Sequence, residues 1–290
     1  MNSTAAEQRL NFAQNVAIQG VGLIGGSIAA TLRALNFPGT IFGVGRNAER
    51  LAEAHDRGLI DEAITDIKAA AERADLIIIC TPVDCIVENV REAAETAKPG
   101  TLITDGGSVK GCICHPLAAG LPDGVTFIGS HPLAGSEKQG FEHAKPNLFD
   151  DRVCVITPVK STPPDQLTRL IRFWEALNMR IVEMDPDAHD LALAKTSHLP
   201  HLLASALCGG LTDDQRQLAA TGFRDTTRVA SGDPGLWQAI FLGNRDAMLQ
   251  TLDQFGGLLE QYRTAIENDD AATLQNLLEN AKRNRDGLCE

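Results

Sequence analysis

The stretch Gly20-Val21-Gly22-Leu23-Ile24-Gly25-Gly26-Ser27 decides how this chain is read. It follows an apolar run, Asn15-Val16-Ala17-Ile18-Gln19, that predicts a strand, and it leads into residues 27–35, which predict a helix. A strand, a G-x-G-x-x-G turn and a helix in that order form a seat for the diphosphate of a dinucleotide. The first glycine permits the tight turn, the second lets backbone approach the phosphates, and the third lets the helix lie close to the strand. Free N–H groups at the helix start then face the diphosphate. Gly20, Gly22, Leu23, Ile24 and Gly25 are therefore candidate cofactor-binding residues.

Outward from this turn, strands and helices alternate. Strands are predicted at residues 40–44, 63–64, 75–80, 101–105, 126–130, 152–158 and 180–184, and helices at 47–55, 84–97 and 164–177, with a further helical segment after Gly106-Gly107-Ser108. In Asp75-Leu76-Ile77-Ile78-Ile79-Cys80 the run after Asp75 is continuously apolar, as expected of a strand buried on both faces. The fold class is α/β, with an N-terminal Rossmann-type doubly wound sheet. Beyond Met184 no strand is predicted. Residues 187–208, 213–230, 235–267 and 270–285 carry helical spacing. The chain therefore divides into a dinucleotide-binding domain, 1–184, and an all-α domain, 185–290. The Leu- and Ala-rich second domain would leave an apolar face uncovered in a monomer, which predicts a homodimer through it.

Composition narrows the function classes. A net charge of -12 and a pI near 5.0 disfavour nucleic acid, whose binding needs Lys and Arg against phosphate. No apolar run approaches the ~20 residues of a membrane span, and the polar residues 1–14 do not read as a signal peptide. Seven cysteines, an odd number set mostly in apolar runs, suit a reducing cytoplasm better than a disulfide framework. Cys112-Ile113-Cys114-His115 lacks the spacing of a metal site, and no metal is expected.

In a doubly wound sheet, ligands bind at the carboxyl ends of the strands. Gly20, Gly45-Arg46, Cys80-Thr81-Pro82, Gly107-Ser108 and His131 all follow predicted strands and should share one crevice. The second strand ends Val44-Gly45-Arg46-Asn47, with no carboxylate before Glu49 to bond a ribose 2′-hydroxyl. Arg46 would attract a 2′-phosphate and Gly45 leaves room for it. This favours NADP, although Arg46 could instead stack on adenine and leave NAD bound.

Several groups suit chemistry beside a nicotinamide. His131 opens His131-Pro132-Leu133-Ala134-Gly135-Ser136-Glu137 and suits proton transfer. Ser108 reads either as a helix N-cap or as a site hydroxyl. His198 and His201 share a helix face around Pro200, which should kink the helix. They read as substrate contacts or, with His189 or Asp190 as a third group, as metal ligands. Arg224 and Arg228, at i and i+4, could clamp a carboxylate or simply form a surface ion-paired helix.

Taken together, these stretches resemble the prephenate and arogenate dehydrogenase family of tyrosine biosynthesis. The pieces that carry the resemblance are Gly20–Ser27, Asp105-Gly106-Gly107-Ser108-Val109-Lys110, His131–Glu137, Ser197-His198-Leu199-Pro200-His201 and Gly222-Phe223-Arg224-Asp225-Thr226-Thr227-Arg228, with Trp237 downstream. The resemblance implies oxidative decarboxylation of prephenate to 4-hydroxyphenylpyruvate with reduction of NAD or NADP, or the arogenate reaction that forms tyrosine directly. It implies His131 as the catalytic base and Ser108 as a partner of the substrate hydroxyl. It further implies Arg228 on a substrate carboxylate, His198 and His201 near the substrate side chain, and Glu137, Asp190 and Trp237 at pocket positions. A two-domain hydroxyacid dehydrogenase is the alternative of similar build, with Lys195 as its candidate lysine.

Overall fold

The apolar run at residues 76–80 supplies a central strand of an eight-stranded sheet. The computed structural model describes residue 11 and residues 13–135 and 138–288. In chain order the first unit runs β1 (Asn15–Gln19), α1 (Leu23–Ala34), β2 (Thr40–Val44), α2 (Ala48–Asp56), β3 (Glu62–Ile64), α3 (Ile67–Ala71), β4 (Leu76–Ile79), α4 (Val83–Ala94), β5 (Leu102–Asp105), α5 (Gly111–Leu117), β6 (Thr126–Pro132), β7 (Val153–Thr157), α6 (Pro164–Ala176) and β8 (Arg180–Glu183). The strand order is β3-β2-β1-β4-β5-β6-β7-β8. Pairing is parallel from β3 to β6, antiparallel between β6 and β7, and parallel between β7 and β8.

Along β4 the side chains alternate between two cores. Leu76 and Ile78 pack with Ile28, Leu32, Phe173 and Trp174; Ile77 and Ile79 pack with Ile86, Val90 and Ile113. Covering both faces is what makes the strand apolar at every position. The strand order reverses between β1 and β4, which is where an open α/β sheet leaves a crevice for ligands.

The glycine turn sits at the end of β1 in that crevice. Gly20 has φ +89°, and a Cβ there would lie 2.7 Å from the Cys80 carbonyl oxygen. A Cβ on Gly25 would lie 2.3 Å from the Gly20 carbonyl oxygen, so this glycine lets α1 approach its own turn. Gly22 faces open space and starts α1 without a side-chain cap, leaving the first helical amides available to an anion.

β6 is longer than its sequence suggests. Its pairing with β5 ends at Thr104 opposite Ile128, after which β7 takes over, with Ser130 opposite Ile156, His131 opposite Val155 and Pro132 opposite Cys154. His131 therefore belongs to a paired strand and not to a loop beyond one.

The second unit is helical: α7 (Pro186–Leu193), a π-helical turn at Ala194–His198, α8 (Leu199–Gly209), α9 (Asp213–Arg216), α10 (Thr221–Thr227), a 3₁₀ turn at Arg228–Ser231, α11 (Pro234–Gly243), α12 (Arg245–Glu267) and α13 (Ala271–Asp286). Three predicted helices are interrupted. The helix over 187–208 widens into the π turn just before Pro200, which has no N–H to give and whose ring crowds the preceding turn. The segment 213–230 breaks into short pieces, and Asp233 then caps α11 through the Leu236 amide at 2.7 Å. The segment 235–267 breaks at Asn244, beside Gly243, which lies against the first unit: a Cβ there would lie 3.3 Å from Cys112 Sγ.

Gly25→Ala is expected to destabilise the protein by about 1–3 kcal/mol through overpacking. Chemical denaturation measures this, and an unchanged midpoint would show that α1 can move away from the turn at no cost.

Candidate active site

A cleft of about 830 Å³ opens at the carboxyl ends of β1, β4 and β5. Gly22, Leu23 and Ile24 line it from the glycine turn, and Cys80, Thr81 and Pro82 from the end of β4. Gly106, Gly107 and Ser108 line it beyond β5; Ala134, Gly135, Lys138 and Gln139 line it beyond β6; Arg228 and Trp237 come from the second unit. The bare Gly22 and the uncapped start of α1 fit a dinucleotide diphosphate. Gly20 and Gly25 shape the turn without being among the lining residues.

Gly45, Arg46 and Asn47 lie outside the cleft lining, just beyond β2. The Asn47 side-chain oxygen accepts the Arg50 amide at 3.0 Å and so caps α2. Arg50 is held by Glu142 at 2.5 Å and by Glu53 at 3.1 Å. Arg46 is exposed, and among the described residues no carboxylate pairs with it.

Ser108 does not cap a helix, because α5 starts at Gly111. Its loop is instead pinned by Asp105, whose carboxylate accepts the Gly107 amide at 2.8 Å and the Ser130 amide at 3.1 Å. Lys110, fully buried, pairs with the same carboxylate and donates to the Ser130 carbonyl at 2.8 Å. This pair fastens the Ser108 loop to the strand that carries His131. Two buried charges are tolerated here because each is paired and hydrogen-bonded.

Asp190 supplies the first amides of α5 with acceptors. Lys110 N donates to Oδ1 at 2.7 Å and Gly111 N to Oδ2 at 2.8 Å. His189 Nδ1 also lies 2.7 Å from Oδ1, and His189 Nε2 lies 2.9 Å from His131 Nδ1. The proton positions follow from these contacts. An ionised carboxylate only accepts, so His189 Nδ1 carries a proton and its Nε2 a lone pair. His131 Nδ1 must then donate to that lone pair, which leaves the lone pair of neutral His131 on Nε2. Among the described residues nothing bonds that Nε2. It is a base held in one tautomer.

This corrects the reading of Asp190 as a substrate contact: its oxygens are taken by two amides and an imidazole, and it acts through His189. It also removes His189 and Asp190 as third metal ligands for the His198–His201 pair. Sequence reasoning missed the relay. The adjacent His189-Asp190 pair was visible, but its partner His131 is 58 positions away.

The two remaining histidines lie around the π turn. His198 Nδ1 is 3.0 Å from Asn244 Nδ2. His201 stacks on Trp237, with ring centroids 3.5 Å apart and planes 12° from parallel. A Cβ on Gly232 would lie 2.5 Å from Trp237 Nε1, so this glycine seats the indole. His131, His198 and His201 are all buried and are not among the cleft-lining residues, whereas Trp237 is. The arginine pair separates. Arg228 lines the cleft, while Arg224 Nε donates to the Ala219 carbonyl at 3.2 Å, because α10 gives way to a 3₁₀ turn between them. Lys195 is exposed on the π turn and does not line the cleft. Glu137 lies outside the described residues.

Burial, then neighbouring His189, Lys110 and His198, hold the His131 imidazole well below its ordinary 6.5. The ring is thus neutral and able to accept a proton at neutral pH. Because the folded value is the lower one, the stability from burying the neutral ring is fully present above 6.5. It is lost as pH falls through the folded value. A histidine NMR titration is expected to place His131 below 6.5; a midpoint at or above 6.5 would overturn this account of its surroundings.

Comparison with known proteins agrees with this geometry. The family model for the prephenate dehydrogenase nucleotide-binding domain matches residues 28–183, and that for the prephenate dehydrogenase dimerization domain matches residues 185–280. The prephenate dehydrogenase of Bacillus subtilis is 34% identical over 281 residues, covering 94% of this chain and 76% of that protein. The structure of Aquifex aeolicus prephenate dehydrogenase in complex with hydroxyphenyl propionate and NAD+ superposes with a TM-score of 0.87 at 33% identity, covering 94% of this chain and 97% of that one. Synechocystis arogenate dehydrogenase superposes with a TM-score of 0.81 at 36% identity, covering 94% and 99%. With a glycine turn that fits a dinucleotide and an oriented imidazole base beside the cleft, the chain belongs to the prephenate dehydrogenase family of NAD(P)-dependent dehydrogenases.

Proposed function

We propose that this chain converts prephenate to 4-hydroxyphenylpyruvate and CO2 while reducing NADP or NAD, with arogenate as the alternative substrate. The observation that carries this reading is the His131–His189–Asp190 relay, which leaves one lone pair on His131 Nε2 in a chain of this family. With the diphosphate of the dinucleotide seated at the glycine turn, its nicotinamide would supply the acceptor for a hydride. His131 Nε2 takes the proton of the hydroxyl on the ring carbon that loses the hydride. Ser108 bonds the same oxygen. Loss of the ring carboxylate as CO2 leaves its electron pair in the ring, which becomes aromatic. The oxygen then regains a proton, for which protonated His131 is placed as donor, so no net proton leaves in this sequence. Asp190 stabilises the imidazolium through His189 without being protonated itself. Arg228 pairs with a substrate carboxylate, and His198, His201 and Trp237 bound the substrate side chain. Glu137 is assigned to the pocket on its motif alone.

Arg46, exposed and paired with no carboxylate among the described residues, and the absence of a carboxylate at position 45 favour NADP. Prephenate is favoured by His201, the second histidine of its motif, and the likeness to an arogenate dehydrogenase keeps the second substrate in view. The division at residues 184 and 185 assigns cofactor to the first unit and the remaining substrate contacts to the second. A homodimer through the second unit accounts for exposed Leu218, Leu242, Leu259, Ile266 and Leu278. No helix of the described residues is long and apolar enough to cross a membrane. The six described cysteines are free, which agrees with the cytoplasm as its compartment.

A matrix of two substrates and two cofactors tests the function. Prephenate with NADP is expected to be turned over best, and Arg46→Ala is expected to weaken NADP more than NAD. If neither substrate reduces either cofactor, the reading fails. Asp190→Asn tests the relay. Its amide carries no charge to stabilise the imidazolium, and whichever way it turns, its nitrogen meets a backbone amide, of Lys110 or of Gly111, so the hold on His189 and through it on His131 is weakened. Turnover should fall by a factor on the order of 10²–10⁴ with cofactor affinity retained; unchanged turnover would remove the relay from the mechanism.

A further inference from the structure

Asn244 stands at the break between α11 and α12, 4% exposed, where the second unit meets the first. Its Nδ2 makes two contacts. It donates to the Asp190 carbonyl at 2.8 Å and lies 3.0 Å from His198 Nδ1. The carbonyl can only accept, so the atom facing it is the amide nitrogen and the side chain cannot be turned the other way. That nitrogen has two protons and no lone pair to offer. The second proton therefore goes to His198, and His198 Nδ1 must present a lone pair. A neutral imidazole with its lone pair on Nδ1 carries its proton on Nε2. Burial keeps the ring neutral, pushing it down to about 4. Among the described residues no group bonds His198 Nε2, and it is not a sealed, unpartnered atom.

We propose that Asn244 is a positioning residue that locks His198 in the Nε2–H tautomer, so that the histidine cluster offers the substrate one acceptor, on His131, and one donor, on His198. This rests on the dehydrogenase reading above. The substrate class explains the arrangement. Its ring hydroxyl must give up a proton and needs an acceptor. Its remaining polar groups, two carboxylates and a keto oxygen, need donors. Were His198 in the other tautomer, its Nε2 lone pair would meet a substrate oxygen lone pair, and the pocket would repel the molecule it must hold. One residue organises both rings: the Asp190 carboxylate orients His131 through His189, and the Asp190 carbonyl orients His198 through Asn244.

Asn244→Asp changes little in shape but removes both protons. Together with Asn244→Ala, His198→Gln and the Asn244→Ala/His198→Gln double variant, it is assayed with prephenate and both cofactors. The expected result is an increase in the prephenate KM on the order of tenfold for the Asn244 variants with the cofactor KM unchanged. The double variant should be no worse than His198→Gln alone, because both changes act through one ring. Effects that add would assign Asn244 a purely structural role and overturn the proposal. Nitrogen-15 NMR of the histidines in the unmutated protein gives a readout independent of how well any variant folds. The signal assigned to His198 should show the Nε2–H tautomer, and an Nδ1–H tautomer would overturn the proposal. If the unmutated protein turns over neither substrate, the dehydrogenase reading fails by itself, and the NMR tautomer still decides for or against the Asn244 lock.

Discussion

The structure depends on a carboxylate that crosses from one unit to the other. Asp190, on the first helix of the second unit, accepts the amides of Lys110 and Gly111 at the start of α5 in the first. Helix starts leave amides without partners, and a negative charge is favoured there. Hydrogen bonds to a charged group are worth about 1.5–3 kcal/mol each, more than neutral ones. Because the same carboxylate orients His189 and through it His131, docking of the two units and preparation of the base are one event. A chain with its units apart would have a histidine at position 131 but no defined tautomer.

How much of this could be read from the sequence follows from how local each feature is. The glycine turn, the alternation of strands and helices and the switch to an all-helical second unit are written in contiguous residues. The glycines of the turn and the four apolar residues of β4 describe their surroundings by themselves. The features that escaped are made by partners far apart in the chain. β6 extends through His131 because β7 pairs with it, and nothing in residues 126–132 announces that partner. Ser108 looks like a helix cap because it follows two glycines, yet the helix begins three residues later and is capped from position 190. Arg224 and Arg228 have helical spacing, but the helix ends between them and only one reaches the cleft.

The charges of the site follow the same pattern. A chain with a net charge of -12 must hold anionic ligands by local groups, either backbone amides such as those that open α1 or cations not engaged by its own carboxylates. Lys110 is spent on Asp105 and Arg50 on Glu142, so neither is a free cation for a ligand. Lys110 nevertheless acts at the site by raising the local potential around His131, which helps keep that ring neutral. His201 is covered on one face by Trp237, which itself lines the cleft. Low dielectric surroundings strengthen the polar contacts made there, at the cost of leaving any unmatched group exposed to the full penalty of desolvation.

For His131 as the proposed base, a place on a paired strand has a consequence. A base on a loop explores many orientations, and each encounter with substrate must select one of them. Here the backbone at 131 is fixed by its register with Val155, and the ring is fixed by His189. The conformational entropy lost in arranging the base is incurred once, when the chain folds, and does not recur at every turnover. The nitrogen proposed as the base is thereby part of the scaffold, and the freedom needed to admit substrate and release product resides in other parts of the molecule.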